Sequence, residues 1–162
     1  MTPFTRARDI AAYLTTRLAT ITKTNGYETD IGLQVFRGRR KIDDQQVPCA
    51  VLIEGEDKPG GAQGAGSQQV TQSYVLGGYA ACDPDHPNDR AHEILADIKK
   101  ALFDLTPDAT RAERAGAEFS FGGRVKSVSY RGRDIGPRAD GVPIVFAVVH
   151  IDVVFVEQLA QA

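Results

Sequence analysis

The sequence predicts an α+β domain in which a mostly antiparallel five-stranded sheet carries two helices packed on one face. Two segments show apolar residues at helical spacing, and five runs have the composition or alternation of strands. The predicted order along the chain is α-β-β-β-α-β-β. One sheet with both helices on the same face is the simplest arrangement that buries both helical stripes. The length of 162 residues suits one compact domain, so residues 1–162 are assigned to a single domain.

The first helix is predicted over residues 3–24, because apolar side chains recur there at intervals of four, four and three. Thr2 can cap this helix before Pro3, and Asn25-Gly26 supplies a left-handed stop. The apolar stripe consists of Ile10, Leu14, Leu18 and Ile21.

Three strands are predicted after this helix. Residues 31–36 and 47–53 are expected to form an antiparallel pair, because both runs are rich in apolar and β-branched side chains. Residues 55–68 contain five glycines and no large apolar side chain, so they are expected to form a flexible glycine-rich loop. Residues 69–81 read as the third strand.

The second helix and the last two strands complete the domain. The helix is predicted from the stripe that Ala91, Ile94, Leu95, Ile98 and Leu102 form. A polar, alanine-rich connection at residues 106–118 leads to strands at residues 124–131 and 143–156.

The final strand is apolar on both faces. Val145, Val149 and Phe155 belong to a continuous apolar set that is expected to pack under the helices. The opposite face is also apolar, although His150 and Asp152 interrupt it. Because two helices cover only one face, this second face predicts oligomerisation. Residues 55–68 or 106–118 folding back over it are the competing explanation. The apolar members of the second face are Ile144, Phe146, Val148, Val154 and Val156.

Composition excludes several classes of protein. The net charge of −2 and pI near 5.9 argue against a dedicated nucleic-acid-binding domain. Cys49 and Cys82 form no dense disulfide framework, and free thiols are expected. No apolar run is long enough to span a membrane, and residues 1–9 lack the features of a secretory signal. The protein is therefore expected to be made in the cytoplasm.

No motif predicts catalysis or cofactor binding. The glycines of residues 61–68 lack a P-loop ending, and neither cysteine lies in a CxxC pair. We therefore predict a protein without enzymatic activity, cofactor or metal. The competing hypothesis is a small metal-dependent enzyme, because several residues in one short span carry metal-ligating side chains, namely Asp85, His86, Asp89 and His92.

Arginines gather in two regions of the sequence, around residues 37–41 and around residues 124–138. Solvated turns would account for them, but the forked guanidinium also suits salt bridges between subunits. We assign them to a predicted interface together with part of the final strand. The predicted interface residues are Arg37, Arg39, Arg40, Arg131, Arg133, Arg138, Phe146, Val148, His150 and Asp152.

Three stretches of the chain resemble the tail terminator, or tail completion, family of long-tailed bacteriophages. The first is TNGYETDIG at residues 24–32, followed by Val35 and Gly38-Arg39. The second is the helix at residues 90–102. The third is YRGR at residues 130–133, followed by Asp140-Gly141 and the apolar final strand. Residues 55–68 and 106–118 have no counterpart in this resemblance.

The resemblance implies a structural virion protein that is assembled in the host cytoplasm. Such proteins form a ring, commonly a hexamer, on the tail tube, where they stop tube growth and offer a surface for the head connector. Genomic DNA would pass through the lumen without sequence readout. Another head–tail neck protein is the nearest alternative, and a monomeric module whose glycine-rich loop closes over a ligand is a third.

Overall fold

The computed structural model describes residues 2–62, 64–104, 111–114 and 119–160. An α+β fold with a five-stranded sheet and two long helices is confirmed. The observed order is α-β-β-β-α-α-β-β, because a short helix, α3, lies within the predicted connection. The elements are α1 (Ala7–Ala19), β1 (Val35–Arg37), β2 (Cys49–Ala62), β3 (Ser67–Ala81), α2 (Pro87–Phe103), α3 (Arg111–Arg114), β4 (Ser127–Ile135) and β5 (Ile144–Gln158).

The sheet is mixed, which corrects the prediction of a mostly antiparallel one. Its strand order is β1-β2-β3-β5-β4, and β1 pairs parallel to β2, with Val35 opposite Ala50 and Arg37 opposite Leu52. The prediction of an antiparallel β1–β2 pair was therefore wrong. Residues 38–48 form a connection long enough to return the chain to the end of the sheet at which β1 began, which parallel pairing requires. The pairs β2–β3, β3–β5 and β5–β4 are antiparallel.

Helix α1 is shorter than predicted. It spans Ala7–Ala19, whereas the sequence predicted a helix over residues 3–24. The backbone N–H of Phe4 donates to the carbonyl oxygen of Arg124 at 2.8 Å, so the residues before α1 follow the 119–126 segment. Arg6 occupies the N-cap position in place of the predicted Thr2. After α1, residues 23–25 and 31–33 form short 3-10 turns, and the predicted first strand shortens to Val35–Arg37.

The core lies between the two long helices and one face of the sheet. The predicted stripes of both helices and the predicted inner set of β5 are buried in a single apolar cluster. Fully buried side chains from each layer include Leu14 and Leu18 of α1, Ile94 and Ile98 of α2, and Val149, Ile151 and Phe155 of β5. None of the helices in the described ranges is both long and apolar enough to cross a membrane.

Much of the predicted glycine-rich loop at residues 55–68 belongs to strands. β2 continues to Ala62 and β3 begins at Ser67, with Lys58 opposite Thr71 and Ala62 opposite Gln68. Strand pairing uses backbone hydrogen bonds, which do not require apolar side chains. Because β5 pairs with β3 along its whole length, β3 stays extended and can pair with β2 on its other edge. Two irregularities in the β2 register accommodate the glycines and proline of this strand.

Candidate subunit interface

The face of the sheet turned away from α1 and α2 is termed the outer face. Strand pairing places the outer residues of β5 next to those of β3: Tyr79 lies opposite Phe146, and Val75 lies opposite His150. This face contains all four β5 residues of the predicted interface. The outer residues of β5 are Ile144, Phe146, Val148, His150, Asp152, Val154 and Val156.

The apolar end of the outer face is packed within the chain itself. The rings of Tyr79 and Phe146 stack with centroids 4.2 Å apart. The Phe146 ring also lies over Gly77, where a Cβ atom would come within 2.7 Å of its Cε2 atom and 2.8 Å of a Val148 methyl. Phe146 remains half-buried, whereas Val148 is only 7% exposed. Of these two predicted contact residues, Phe146 offers the larger surface to a partner.

The centre of the outer face is a cluster of paired charges. Asp152 accepts a hydrogen bond from the Ser73 hydroxyl at 2.8 Å and lies 3.4 Å from Nε of Arg131. His150 Nε2 lies 3.8 Å from a carboxylate oxygen of Asp134, an ion pair when the histidine is protonated. Burial of paired polar groups costs less than burial of isolated ones, so this cluster is compatible with a protein interface.

The competing explanation, in which residues 55–68 or 106–118 fold back over the outer face, finds no support in the described parts of these segments. Residues 55–62 and 67–68 extend the sheet in its own plane. In the second segment, α3 belongs to the helix side: Glu113 accepts hydrogen bonds from the backbone of Ser120 and Gly122. Phe121 in turn contacts Tyr13 of α1, with ring centroids 4.9 Å apart. Residues 105–110 and 115–118 lie outside the described residues.

Several apolar side chains of the outer face remain partly exposed to solvent. Ile53 of β2, Val75 of β3, and Val154 and Val156 of β5 are all half-buried. They surround the charged centre on neighbouring strands. An apolar area of this kind beside paired charges is typical of a surface that contacts another protein.

The predicted interface arginines fall into two groups on opposite edges of the sheet, because β1 and β4 are its two edge strands. On the β1 edge, Arg37 donates two hydrogen bonds to one oxygen of Glu54, at 2.8 and 3.0 Å. The Arg39 guanidinium lies 4.6 Å from the centre of the Phe36 ring. Arg40 is exposed.

The second group lies on the β4 edge and in the turn that follows. Arg131 and Arg133 are exposed on β4. Arg138 has an internal structural role: its guanidinium donates to the carbonyl oxygens of Ala139, Val142 and Pro84, at 2.6 to 3.2 Å. It ties the β4–β5 turn to the turn before α2 and has less capacity left for a partner.

The four candidate ligands of the competing metal-enzyme hypothesis are not gathered into a site with other ligating side chains in the described chain. His86 Nδ1 lies 3.5 Å from Asp83, and the backbone N–H of Asp85 donates to Asp83 at 3.0 Å. Both hydrogen bonds lower the pKa of the Asp83 carboxyl, and the bond from Asp85 has the larger effect. Among the described residues, no group of three or more His, Cys, Asp or Glu side chains is placed to hold a metal. The four proposed ligands Asp85, His86, Asp89 and His92 are exposed.

The two thiols should differ sharply in reactivity. Cys49 is fully buried, and burial raises the pKa of its thiol to about 11. A hydrogen bond with the Tyr79 backbone lowers this pKa by a smaller amount. Little thiolate therefore forms at Cys49 near neutral pH. Cys82 is half-buried. We expect one thiol per folded chain to react rapidly with a disulfide reagent at pH 8 and both to react after denaturation. Cys82→Ser should remove the rapid phase; rapid reaction of both thiols in the folded protein would contradict the burial of Cys49.

An aromatic groove beside α1 was not predicted from the sequence. It has a volume of about 700 Å³ and is lined in part by Phe4, Tyr13 and Arg124. The Arg124 guanidinium lies 5.0 Å from the Tyr13 ring centre and 5.7 Å from that of Phe4. The one indication of this groove in the sequence was Tyr13, a large aromatic residue outside the apolar stripe of the helix.

The sequence matches no protein-family model and no curated protein. The fold and the outer face define an α+β protein with an apolar, partly charged sheet surface beside two charged edges.

Proposed function

We propose that this protein is a structural virion component that forms a ring on the end of a phage tail tube. Rings of this class are commonly hexamers. In this role it stops tube polymerisation and provides the surface on which the head joins the tail. The observation that carries the proposal is the outer face, where half-buried apolar side chains surround paired charges and no described segment covers them. The sequence resemblance to tail terminators selects this role among those open to an assembling protein.

The positions of the two arginine groups favour a ring over a symmetric dimer. Closure by rotation needs two different patches on each subunit, because the front of one subunit meets the back of the next. The sheet order places Arg39 and Arg133 on opposite edges of the subunit. Each subunit can therefore present two distinct charged edges to its two neighbours.

The proposed partners are further copies of this chain, the tail-tube protein and a head-completion or connector protein. The role needs no cofactor and no chemical step. The proposed DNA contact is passage through the lumen without sequence readout, and the net charge of −2 argues against a dedicated nucleic-acid-binding domain. We place the protein in the tail or neck of the virion after assembly in the host cytoplasm.

The test is the mass of the protein in solution over a wide concentration range, with and without tail tubes. We expect a ring, either alone or only at tube ends. Val154→Glu puts a charge on the apolar part of the outer face and should weaken assembly, whereas Ala96→Glu on the exposed side of α2 should not. A wild-type chain that stays monomeric and ignores tubes would overturn the proposal. Binding to filled heads in place of tubes would assign the protein to another position in the neck.

A further inference from the structure

The two edges of the sheet are poorly suited to pairing with a strand of another subunit. β4 has a register irregularity between Tyr130 and Gly132, where Gly132 takes a φ of 122°. β2 is paired with β1 only as far as Leu52, and its remaining free edge contains two register shifts and Pro59. Bulges, charged residues and proline are the features that prevent strand addition at sheet edges. Contact at these edges must therefore use side chains.

One row of residues across the sheet ends in opposite charges on its two edges. Pairing aligns Phe36 of β1 with Val51, Gly77, Val148 and finally Asp134 of β4. At the β1 end, the Arg39 guanidinium lies over the Phe36 ring at 4.6 Å. At the β4 end, the Asp134 side chain is 78% exposed, and it lies 3.8 Å from His150, an ion pair only when the histidine is protonated. A cation and an anion thus stand at equal height, both toward the outer face.

The adjacent row carries a second complementary pair on the helix side. It runs from Arg37 through Leu52, Leu76 and Val149 to Arg133. Arg37 is already bonded to Glu54 through Oε1, and the Glu54 side chain remains 39% exposed. Arg133 is exposed and has no ion partner among the described residues. Glu54 itself stands two residues beyond Leu52 on β2, in the row that ends at Tyr130, and its bonds with Arg37 hold its carboxylate at the Arg37 side chain. The row that ends in Arg133 on the β4 edge therefore has an exposed carboxylate bonded to the arginine at its other end.

We infer that neighbouring copies in the ring join β4 edge to β1 edge, with Asp134 of one copy paired to Arg39 of the next and Arg133 paired to Glu54. The inference depends on the ring proposed above and names the surfaces that close it. Successive strands twist by about 20–25°, so the two edges cross at an angle and the contact concentrates near these four side chains. Packing on Phe36 orients Arg39 before contact.

Reversing the charges tests the pairing. Arg39→Asp and Asp134→Arg should each raise the concentration needed for half-maximal assembly by about tenfold, because each places like charges at every contact of the ring. The double variant restores opposite charges and should assemble within about threefold of the wild type. Arg8→Asp and Asp89→Arg make the same changes on exposed positions of α1 and α2 and should leave assembly unchanged.

An equimolar mixture of the two single variants gives a sharper test. In an alternating ring every contact joins opposite charges, since the Arg39→Asp variant keeps Asp134 and the Asp134→Arg variant keeps Arg39. The mixture should therefore assemble where each variant alone does not, and mass spectrometry should find equal numbers of both in each ring. If the wild type forms rings but the single variants assemble normally, or neither the mixture nor the double variant recovers, this pairing is wrong and the ring stands. If the wild type forms no ring with or without tubes, both proposals fall.

Discussion

Gly32→Ala should destabilise the fold by about 3 kcal/mol or more, at the upper end of the usual penalty for overpacking. A Cβ atom at this position would lie 2.5 Å from the carbonyl oxygen of Leu18 and 2.6 Å from that of Ile21. Both oxygens belong to the backbone, that of Leu18 in the last turn of α1 and that of Ile21 just after the helix, so no side-chain rotation relieves the clash. The Gly32 N–H also donates to Ile21 at 2.8 Å, and that bond would be stretched as the segments separate.

The measurement is the free energy of unfolding in urea for the wild type and the variant. Gly61→Ala is the matched control, because a Cβ atom at Gly61 meets nothing within 4 Å. Its stability should remain within about 1 kcal/mol of the wild type. Equal stability of Gly32→Ala and the wild type would show that the 31–33 turn does not pack against α1 as described.

Asp97→Asn should lower the free energy of unfolding by about 3 kcal/mol. Asp97 is 2% exposed in α2, and its carboxylate accepts three hydrogen bonds from the segment before β1. The donors are the Glu28 N–H at 3.1 Å, the Thr29 N–H at 2.8 Å and the Thr29 hydroxyl at 2.7 Å. The asparagine amide has one acceptor oxygen, so its NH₂ group must face at least one of these donors.

A double-mutant cycle with Thr29→Val isolates the contact. Thr29→Val removes the hydroxyl donor, so its effect should be smaller in the Asp97→Asn background than in the wild type. Asp89→Asn in the exposed first turn of the same helix serves as the control and should cost under about 1 kcal/mol. Additive effects of Asp97→Asn and Thr29→Val would contradict the shared hydrogen bond.

The close packing at Gly32 and the hydrogen-bond donors of Asp97 could not be predicted from the sequence. Gly32 fits an alternating strand pattern, and its packing against α1 depends on where the chain turns after that helix. Asp97 lies between Ile94 and Ile98 of the apolar stripe, which was a usable signal because an acidic residue on a buried helical face needs donors. The sequence does not say which backbone would supply them.

The two faces of β5 were predictable from the sequence. Strand alternation alone separated the buried set of β5 from the outer set, since successive side chains point to opposite faces. The arginines were predicted as contact residues, but their roles differ: Arg138 bonds three carbonyls within its own chain, whereas Arg133 is exposed. Sequence spacing contains no information on which carbonyl oxygens a long side chain will reach.

Local periodicity thus determined the α+β class, both helical stripes and the inner face of β5, because these follow from the geometry of a single helix or strand. Tertiary structure decided the parallel pairing of β1, the extension of β2 through residues 55–62 and the placement of Arg39 and Asp134 on opposite edges. Each of these depends on a partner strand that is distant in the sequence. A strand's direction, length and neighbours are set by the hydrogen bonds that its partner offers, and only the folded sheet brings the partners together.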